Sequence, residues 1–150
     1  YDTGAQTLVR NRPLSGTYGY EVVLPFRATI NTDAIGGPSA GLAFTLTLID
    51  RLSPGSLTGG SRVAVTGTIS DDGSVGAIGG LRQKVAAVLA AGASYFIVPK
   101  AQGEDGLDGL AEARKAAGKH LEIVPVATLD EALEALAARG GTPIPSATSS

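Results

Sequence analysis

Four stretches of the chain carry apolar residues at the three- and four-residue spacing of an amphipathic helix. Turn-forming residues mark the ends of these stretches. Pro54-Gly55 ends the first stretch, Gly79-Gly80 precedes the second, and Gly92 ends the second. Thr128 or Asp130 is available as the cap of the last one. Helices are therefore predicted over residues 39–52, 81–91, 107–117 and 129–138.

Between these helices lie short runs rich in β-branched and aromatic residues, which are typical of strands. An Asp71-Asp72-Gly73 turn joins two of them into a hairpin, and Pro25 indicates an edge or a bulge in the first. Because strand and helix alternate over the later two-thirds of the chain, we expect an α/β or α+β fold, a layered sheet with helices. Strands are predicted over residues 20–30, 62–69, 75–78, 95–98 and 121–126.

The two ends of the chain differ from its middle. Residues 1–19 show no sustained period and are predicted to form a linker or irregular arm. Residues 140–150, GGTPIPSATSS, are predicted to be a disordered tail because they offer little apolar surface to bury. A single domain is left over residues 20–139, and 150 residues suffice for one hydrophobic core. The chain opens with Tyr1 rather than Met, which indicates a piece of a longer protein.

Composition excludes several kinds of site. The chain contains no Cys and one His, so a thiolate nucleophile, a disulfide framework and a structural zinc site are excluded. A net charge of -2 offers no electrostatic attraction for nucleic acid or an anionic membrane. The longest nearly apolar run, residues 85–98, is shorter than the ~20 residues that span a bilayer. We therefore expect these residues to form a soluble domain.

Residues 37–41, GPSAG, match the G-x-S-x-G pattern that surrounds the nucleophilic serine of α/β-hydrolases. Asp105 or Asp108, followed by His120, could complete a Ser-His-Asp triad in the required order. However, only about 38 residues precede Ser39, too few for the strands of that fold, and the segment directly before it is a turn. His120 is predicted to be a solvated surface residue, so a triad esterase is the minor alternative.

A serine nucleophile without a histidine needs another base, and a neutral lysine can serve. Lys84 differs from the other three lysines because it lies in the first turn of the second helix, beside its apolar stripe. The positive end of the helix dipole and an apolar setting both favour the neutral amine that a general base requires. The start of the first helix would likewise offer free amides to an oxyanion formed at Ser39. An ordinary surface lysine is the alternative.

A second glycine-rich stretch, residues 73–80, contains neither the P-loop nor the dinucleotide-binding pattern. No acidic or histidine cluster has the spacing of metal ligands. We therefore predict no cofactor and no metal.

Three segments resemble, in order, the proteolytic domain of Lon proteases: GGPSAGLAFTLTLIDRL, VAVTGTISDDGSVGAIGGLRQKVAAVLAAGASYFIVPKAQ and LEIVPVATLDEALEAL. The resemblance covers roughly residues 20–138, and PSAG followed by TG, IGGL and K is far more specific than G-x-S-x-G alone. It is nearest to the PDZ-containing, ATP-independent Lon-like proteases of Gram-positive bacteria and actinobacteria. The implied fold is that of the Lon proteolytic domain, with a layered sheet and helices like ribosomal protein S5 domain 2.

The resemblance implies a serine endopeptidase that cleaves unfolded or flexible polypeptides through an acyl-enzyme. Ser39 matches the family nucleophile, Lys84 its general base, and Thr66 the threonine that orients this lysine. The oxyanion and the substrate backbone are expected to meet four residues around the serine, Gly36, Gly37, Pro38 and Ala40. The alternative from another class is a catalytically silent Lon-fold module that binds substrate or supports assembly.

The resemblance also implies features of a parent protein. These are an upstream PDZ domain, an N-terminal membrane anchor that leaves this domain outside the cytoplasm, and a homo-oligomeric ring, often a hexamer. The sequence contains no Walker motif, so this chain is expected to act without ATP. Gly36 and Thr68 stand where Lon enzymes commonly carry acidic residues, which bears on substrate preference rather than on the catalytic class.

Overall fold

The structure, a computed structural model, describes residues 8–14, 17–23 and 37–144, the first two ranges through their backbone only. The strands are β1 (Leu8–Leu14), β2 (Thr17–Val23), β3 (Val63–Val65), β4 (Thr68–Ile69), β5 (Val75–Gly76), β6 (Tyr95–Pro99) and β7 (Glu122–Val126). The helices are α1 (Gly41–Leu52), α2 (Leu81–Ala90), α3 (Leu110–Ala117) and α4 (Leu129–Ala137). The mixed α/β class predicted from the sequence is confirmed.

β1 and β2 pair antiparallel within the smaller of the chain's two units, residues 1–32. The prediction of an irregular arm over residues 1–19 is wrong where these strands lie. A strand is stabilised by its partner across the ladder, and a local pattern does not show that partner. The strand predicted over residues 20–30 is confirmed as far as Val23, and its remaining part lies outside the described residues.

A parallel three-stranded sheet in the order β3-β6-β7 forms the centre of the larger unit. Its middle strand is β6, and all five residues of β6 are buried. A continuous apolar run of this kind is expected of a parallel strand that is covered on both faces. The strands predicted over residues 95–98 and 121–126 are thereby confirmed.

Helices cover both faces of this sheet. Tyr95 and Ile97 pack in one apolar cluster with α1 and α4, whereas Phe96 and Val98 pack in a second cluster with α2 and α3. Successive side chains of a strand point to opposite faces, so β6 contributes to both clusters. As a result, α1 and α2, which follow the two glycine-rich stretches of the sequence, lie on opposite faces of one sheet.

The single strand predicted over residues 62–69 is wrong, because the run divides into β3 and β4, which lie in different sheets. The break falls at Thr66-Gly67, where Gly67 has a φ of +151°, a backbone conformation that favours glycine. β4 then pairs antiparallel with β5, which is shorter than the predicted return strand. The predicted Asp71-Asp72-Gly73 turn is confirmed between them, and Asp72 Oδ1 accepts a 2.9 Å hydrogen bond from the Ser74 amide.

The helices lie close to their predicted positions, apart from a late start of α3. This helix begins at Leu110 rather than at residue 107 because residues 103–109 form turns, in which the Leu110 amide donates to Gly103 O at 2.9 Å. One predicted cap of α4 is confirmed, since Thr128 Oγ1 accepts from the Glu131 amide at 3.2 Å. Within the described ranges, no helix combines the length and the apolar composition that crossing a membrane requires.

Residues 140–144 pack within the larger unit. The Thr142 amide donates to Ser56 O at 2.8 Å, the Thr142 hydroxyl accepts from the Ser56 amide at 3.1 Å, and Ile144 packs on the apolar cluster of α1 and α4. The disordered tail predicted over residues 140–150 is therefore wrong for residues 140–144, and the rest lies outside the described residues. Composition could not predict this contact because its backbone partner is distant in sequence.

An ion pair joins the end of α4 to the start of β7. Arg139 Nε donates to Glu122 Oε2 at 3.1 Å, and the Arg139 guanidinium lies 5.2 Å from the centroid of the Tyr95 ring. Hydrogen bonding from Arg139 lowers the pKa of Glu122 below its ordinary value. A carboxyl whose pKa is lower in the folded state stabilises the fold above its unfolded pKa, about 4.3. That contribution is lost as the pH falls through the folded pKa.

We expect Glu122→Gln to lower the free energy of unfolding at pH 7 by less than about 1 kcal/mol, because the Glu122 side chain is partly exposed. The difference between the two proteins should shrink to zero as the pH falls toward about 2, where the wild-type carboxyl is also neutral. Urea unfolding of both proteins at several pH values measures it. An equal deficit at neutral and acid pH would contradict an ionic origin.

Candidate active site

Ser39 lies in a 3-10 turn, Pro38–Ala40, that leads directly into α1. Gly37 precedes the turn with a φ of +84°, a conformation that glycine adopts without strain. The Ser39 and Ala40 amides lie at the very start of the helical segment, where amides have no acceptor within the helix. The predicted position of Ser39 at a helix start is confirmed.

The carbonyl group of Ser39 fixes this turn to the end of β3. It accepts two hydrogen bonds, one of 2.8 Å from the Gly67 amide and one of 3.1 Å from Thr66 Oγ1. Gly67 O in return accepts a 3.1 Å bond from the Leu42 amide. Thr66 is only 4% exposed, a setting in which a hydroxyl without a partner would be costly. The position of Ser39 therefore depends on the Thr66-Gly67 break as well as on its own helix.

Lys84 is presented by the first turn of α2. The helix begins after Gly80, which has a φ of +68°, and the Lys84 amide donates to Gly80 O at 3.0 Å. The ammonium group folds back over the helix start and donates to Gly79 O at 3.1 Å. Lys84 is half-buried, and its neighbour Val85 is completely buried. The predicted position of Lys84, in a first turn beside an apolar stripe, is confirmed.

Ser39, Thr66 and Lys84 line a single cavity of about 260 Å³. Each comes from a different element: the 3-10 turn, the end of β3 and the first turn of α2. The remaining lining residues are apolar, and they are Ala40, Ala64, Val65, Ala87, Val88 and Phe96. The fold thus brings together the three side chains that the sequence singled out.

Within this cavity, Ser39 and Lys84 are not bonded to each other. Lys84 Nζ donates to Gly79 O, and no hydrogen bond among the described residues links it to Ser39 Oγ. Thr66 Oγ1 donates to Ser39 O, and no hydrogen bond among the described residues links it to Lys84. Catalytic hydrogen bonds often tighten only when substrate binds. Proton transfer requires a hydrogen bond from Ser39 Oγ to Lys84 Nζ.

The four residues predicted to meet the oxyanion and the substrate backbone do not all lie at the cavity. Ala40 lines the cavity, whereas Gly37 and Pro38 are exposed and Gly36 lies outside the described residues. Thr68, the second departure from the common Lon pattern, opens β4 directly after the Gly67 break.

The other candidate bases lie at the surface. His120 is exposed in the turn before β7, as predicted for a surface histidine, and it is not among the described residues that line the cavity. Lys100, Lys115 and Lys119 are exposed as well. In the part of the chain that the structure describes, no group of three His, Cys, Asp or Glu side chains could hold a metal ion.

Sequence reasoning missed the apolar wall of the cavity. Ala87 and Val88 follow Lys84 by three and four residues and share its face of α2, so helical spacing could have found them. Phe96 could be placed there only by knowing that β6 lies beside β3. An apolar wall keeps water from one side of the site, and charge interactions are stronger where water is excluded.

These groups match the needs of acyl transfer. Ser39 carries a hydroxyl group, Lys84 carries an amine on the same cavity, and amides at a helix start can donate to an oxyanion. None of the three functions needs a bound metal or an organic cofactor.

Comparison with known proteins confirms the resemblance to Lon. A family model for the Lon protease (S16) C-terminal proteolytic domain matches residues 29–139. Proteins named Lon protease from Azospirillum brasilense, Trichlorobacter lovleyi and Xanthomonas oryzae pv. oryzae are 36%, 40% and 38% identical to it over 108, 98 and 107 residues. These matches cover 72%, 65% and 71% of the chain, which spans only 13%, 11% and 12% of the relatives' length. The chain therefore belongs to the family of Lon protease C-terminal proteolytic domains.

Proposed function

We propose that this domain is a serine endopeptidase in which Ser39 and Lys84 form the catalytic dyad. One observation carries the proposal: Ser39, Thr66 and Lys84, contributed by three separate elements, line the same cavity. Membership of the Lon family supports it, as do the free amides at the start of the Ser39 turn. The substrate is an unfolded or flexible polypeptide, and no ATP is used by this chain.

In the proposed reaction, a neutral Lys84 takes the proton of Ser39 Oγ while that oxygen attacks the scissile carbonyl carbon. The carbonyl oxygen becomes an oxyanion and receives hydrogen bonds from amides at the helix start, those of Ser39 and Ala40. Lys84 then gives the proton to the leaving amine, and the acyl group stays on Ser39 as an ester. Lys84 next takes a proton from a water molecule, whose oxygen attacks the ester carbonyl carbon. The bond from that carbon to Ser39 Oγ breaks, the acyl group leaves as a carboxylic acid, and Lys84 returns the proton to Ser39 Oγ.

Thr66 is the positioning residue of this mechanism. Its hydroxyl donates to Ser39 O and so holds the nucleophile's turn against the end of β3. It also lines the same cavity as Lys84. The family resemblance implies that the threonine orients the lysine; the shared cavity supports that role, whereas the hydrogen bond observed for Thr66 acts on the turn of Ser39.

The cavity favours an extended peptide with an apolar side chain next to the cleaved bond. Ala64, Val88 and Phe96 form an apolar wall opposite the polar groups. Among the described residues, no atom lies within 4 Å of a Cβ built on Gly37, so these residues leave room beside Ser39 for a substrate main chain. A folded substrate could not present its backbone in this way.

A fluorogenic peptide with an apolar residue before the scissile bond tests the proposal. We expect cleavage, covalent capture of Ser39 by a fluorophosphonate, and a rate that rises with pH between about 6 and 9, because the base must be neutral. A chain that binds the peptide but neither cleaves it nor reacts with the fluorophosphonate would be the catalytically silent module. A rate that is independent of pH over this range would count against a lysine base.

The finer features implied by the sequence also belong to this proposal. The GGPSAGL, LTGG and GTI motifs support the PDZ-containing, ATP-independent branch. With that branch come a PDZ domain and a membrane anchor in the parent protein, an extracytoplasmic location and a hexameric ring. Light scattering at the concentration of the peptide assay tests the ring, and an active monomer would count against it. Fractionation of cells that make the parent protein tests the anchor.

A further inference from the structure

The turn that precedes α2 is bound by two side chains from a distant segment. Gln102 Oε1 accepts a hydrogen bond from the Ile78 amide at 2.6 Å, and Asp108 Oδ2 accepts one from the Gly80 amide at 3.0 Å. Both side chains are half-buried. The two ends of residues 78–80 are therefore bound to the same segment of the chain.

Gln102 and Asp108 are also bound to each other, because Gln102 Nε2 donates to Asp108 O at 2.8 Å. Gln102 closes the 3-10 turn Lys100–Gln102, which directly follows the buried central strand β6. The three hydrogen bonds form one connection between the core and residues 78–80, which we call the 102–108 bridge.

Packing gives little support to the two glycines of this turn. Of the atoms that the structure describes, none lies within 4 Å of a Cβ built on Gly79, and only Gln83 Oε1, at 3.6 Å, lies within this distance of a Cβ built on Gly80. Gly80 also occupies the cap position of α2, so the helix has no side-chain cap of its own. The Asp108 carboxylate accepts from the amide of the cap residue itself, the donor that the third residue of a capping box would otherwise satisfy, and its negative charge lies at the positive end of the helix. Ile78, at the other end of the turn, is also held by its buried side chain in the apolar cluster of α2 and α3, whereas the two glycines have no side chain to pack.

Lys84 connects the 102–108 bridge to the candidate active site. Gly79 O accepts a hydrogen bond from the Lys84 ammonium group at 3.1 Å, and Gly80 O accepts one from the Lys84 amide at 3.0 Å. Both the side chain and the backbone of the lysine are therefore bound to the two glycines that the bridge fixes.

We infer that Gln102 and Asp108 are positioning residues for the general base. By fixing residues 78–80, they determine the resting position of the Lys84 side chain and the distance that it moves to reach Ser39. The inference rests on the proposed Ser-Lys mechanism. A misplacement of about 1 Å in a catalytic group can cost about 100-fold in rate, so loss of the bridge should lower kcat. Substrate binding by the cavity wall should be almost unchanged.

The test compares Asp108→Ala and Gln102→Met with Asp108→Asn, each in the 150-residue chain. We expect the first two to lower kcat about 10- to 100-fold while KM stays within about threefold. Asp108→Asn should keep most of the rate, because its amide oxygen can still accept from the Gly80 amide. The matched control is Asp130→Ala, which removes a carboxylate from the first turn of α4 and should leave kcat unchanged.

Amide hydrogen exchange reports on the bridge independently of turnover. Exchange at Ile78 and Gly80 should accelerate in Asp108→Ala, while exchange in β6 stays slow. The inference is overturned if kcat is unchanged in both bridge variants, or if kcat falls only in proportion to the unfolded fraction. Lys84→Met separates this failure from that of the proposed function. If Lys84→Met still cleaves the peptide, the proposed Ser-Lys dyad is wrong. If Lys84→Met is inactive while Asp108→Ala and Gln102→Met keep full activity, the dyad stands and only the positioning role is wrong.

Discussion

Lys84→Met is expected to lower kcat for peptide cleavage by at least about 10⁴-fold, because removing one member of a nucleophile-base unit removes the contribution of the whole unit. Among the described residues that line the cavity, Lys84 carries the only amine. Methionine keeps the apolar stem of the side chain, so α2 should keep its packing on the sheet. Turnover of a fluorogenic peptide, with circular dichroism to verify the fold, measures the effect.

Three further variants make this result specific to the two proposed residues. Ser39→Ala should cause a loss of similar size, and the double variant with Lys84→Met should be no worse than either single one, because the two residues act together. Lys119→Met removes an exposed lysine in the turn after α3 and should leave kcat unchanged. Substantial turnover by folded Lys84→Met would exclude the lysine as the base.

The local sequence pattern predicts those helices and strands whose own apolar residues form a continuous stripe or run that becomes buried. α2 lies where its apolar spacing places it, since Leu81 and Val85 are completely buried, and β6 lies where its apolar run places it. The pairing of β1 with β2 and the contact of Thr142 with Ser56 have a different origin. They depend on a partner outside any local window, and for that reason the sequence pattern did not reveal them.

The members of the candidate site can be proposed from the sequence, but their hydrogen bonds cannot. Ser39 and Lys84 stand out because glycines mark both helix starts and because a chain with one surface histidine must take its base from elsewhere. The bonds from Thr66 Oγ1 to Ser39 O and from Lys84 Nζ to Gly79 O depend on how β3, α1 and α2 pack together. This information exists only in the tertiary structure.

Gly67→Ala is expected to lower the free energy of unfolding by about 2–4 kcal/mol, because two unfavourable effects add. The φ of Gly67, +151°, is strained for alanine, and a Cβ there would lie 2.8 Å from Val75 Cγ1 and 3.4 Å from Leu42 Cδ2. The Gly67 amide and carbonyl bind Ser39 O and the Leu42 amide, so relief of this overlap must move the nucleophile's turn. We therefore expect kcat to fall together with stability, and urea unfolding and the peptide assay measure the two effects.

Gly60→Ala is the matched control for this substitution. Gly60 has a φ of +84°, but a Cβ there would meet no atom within 4 Å, so it carries the backbone strain without the overlap. We expect it to cost about 1 kcal/mol and to leave kcat unchanged. Val75→Ala is itself destabilising because Val75 is buried, but the double variant with Gly67→Ala should lose less stability than the sum of the two single losses, since the smaller side chain removes the nearest clash. A double-mutant cycle measures this favourable coupling. If Gly67→Ala proves as stable and as active as Gly60→Ala, the close packing of the Thr66-Gly67 break does not determine the position of Ser39.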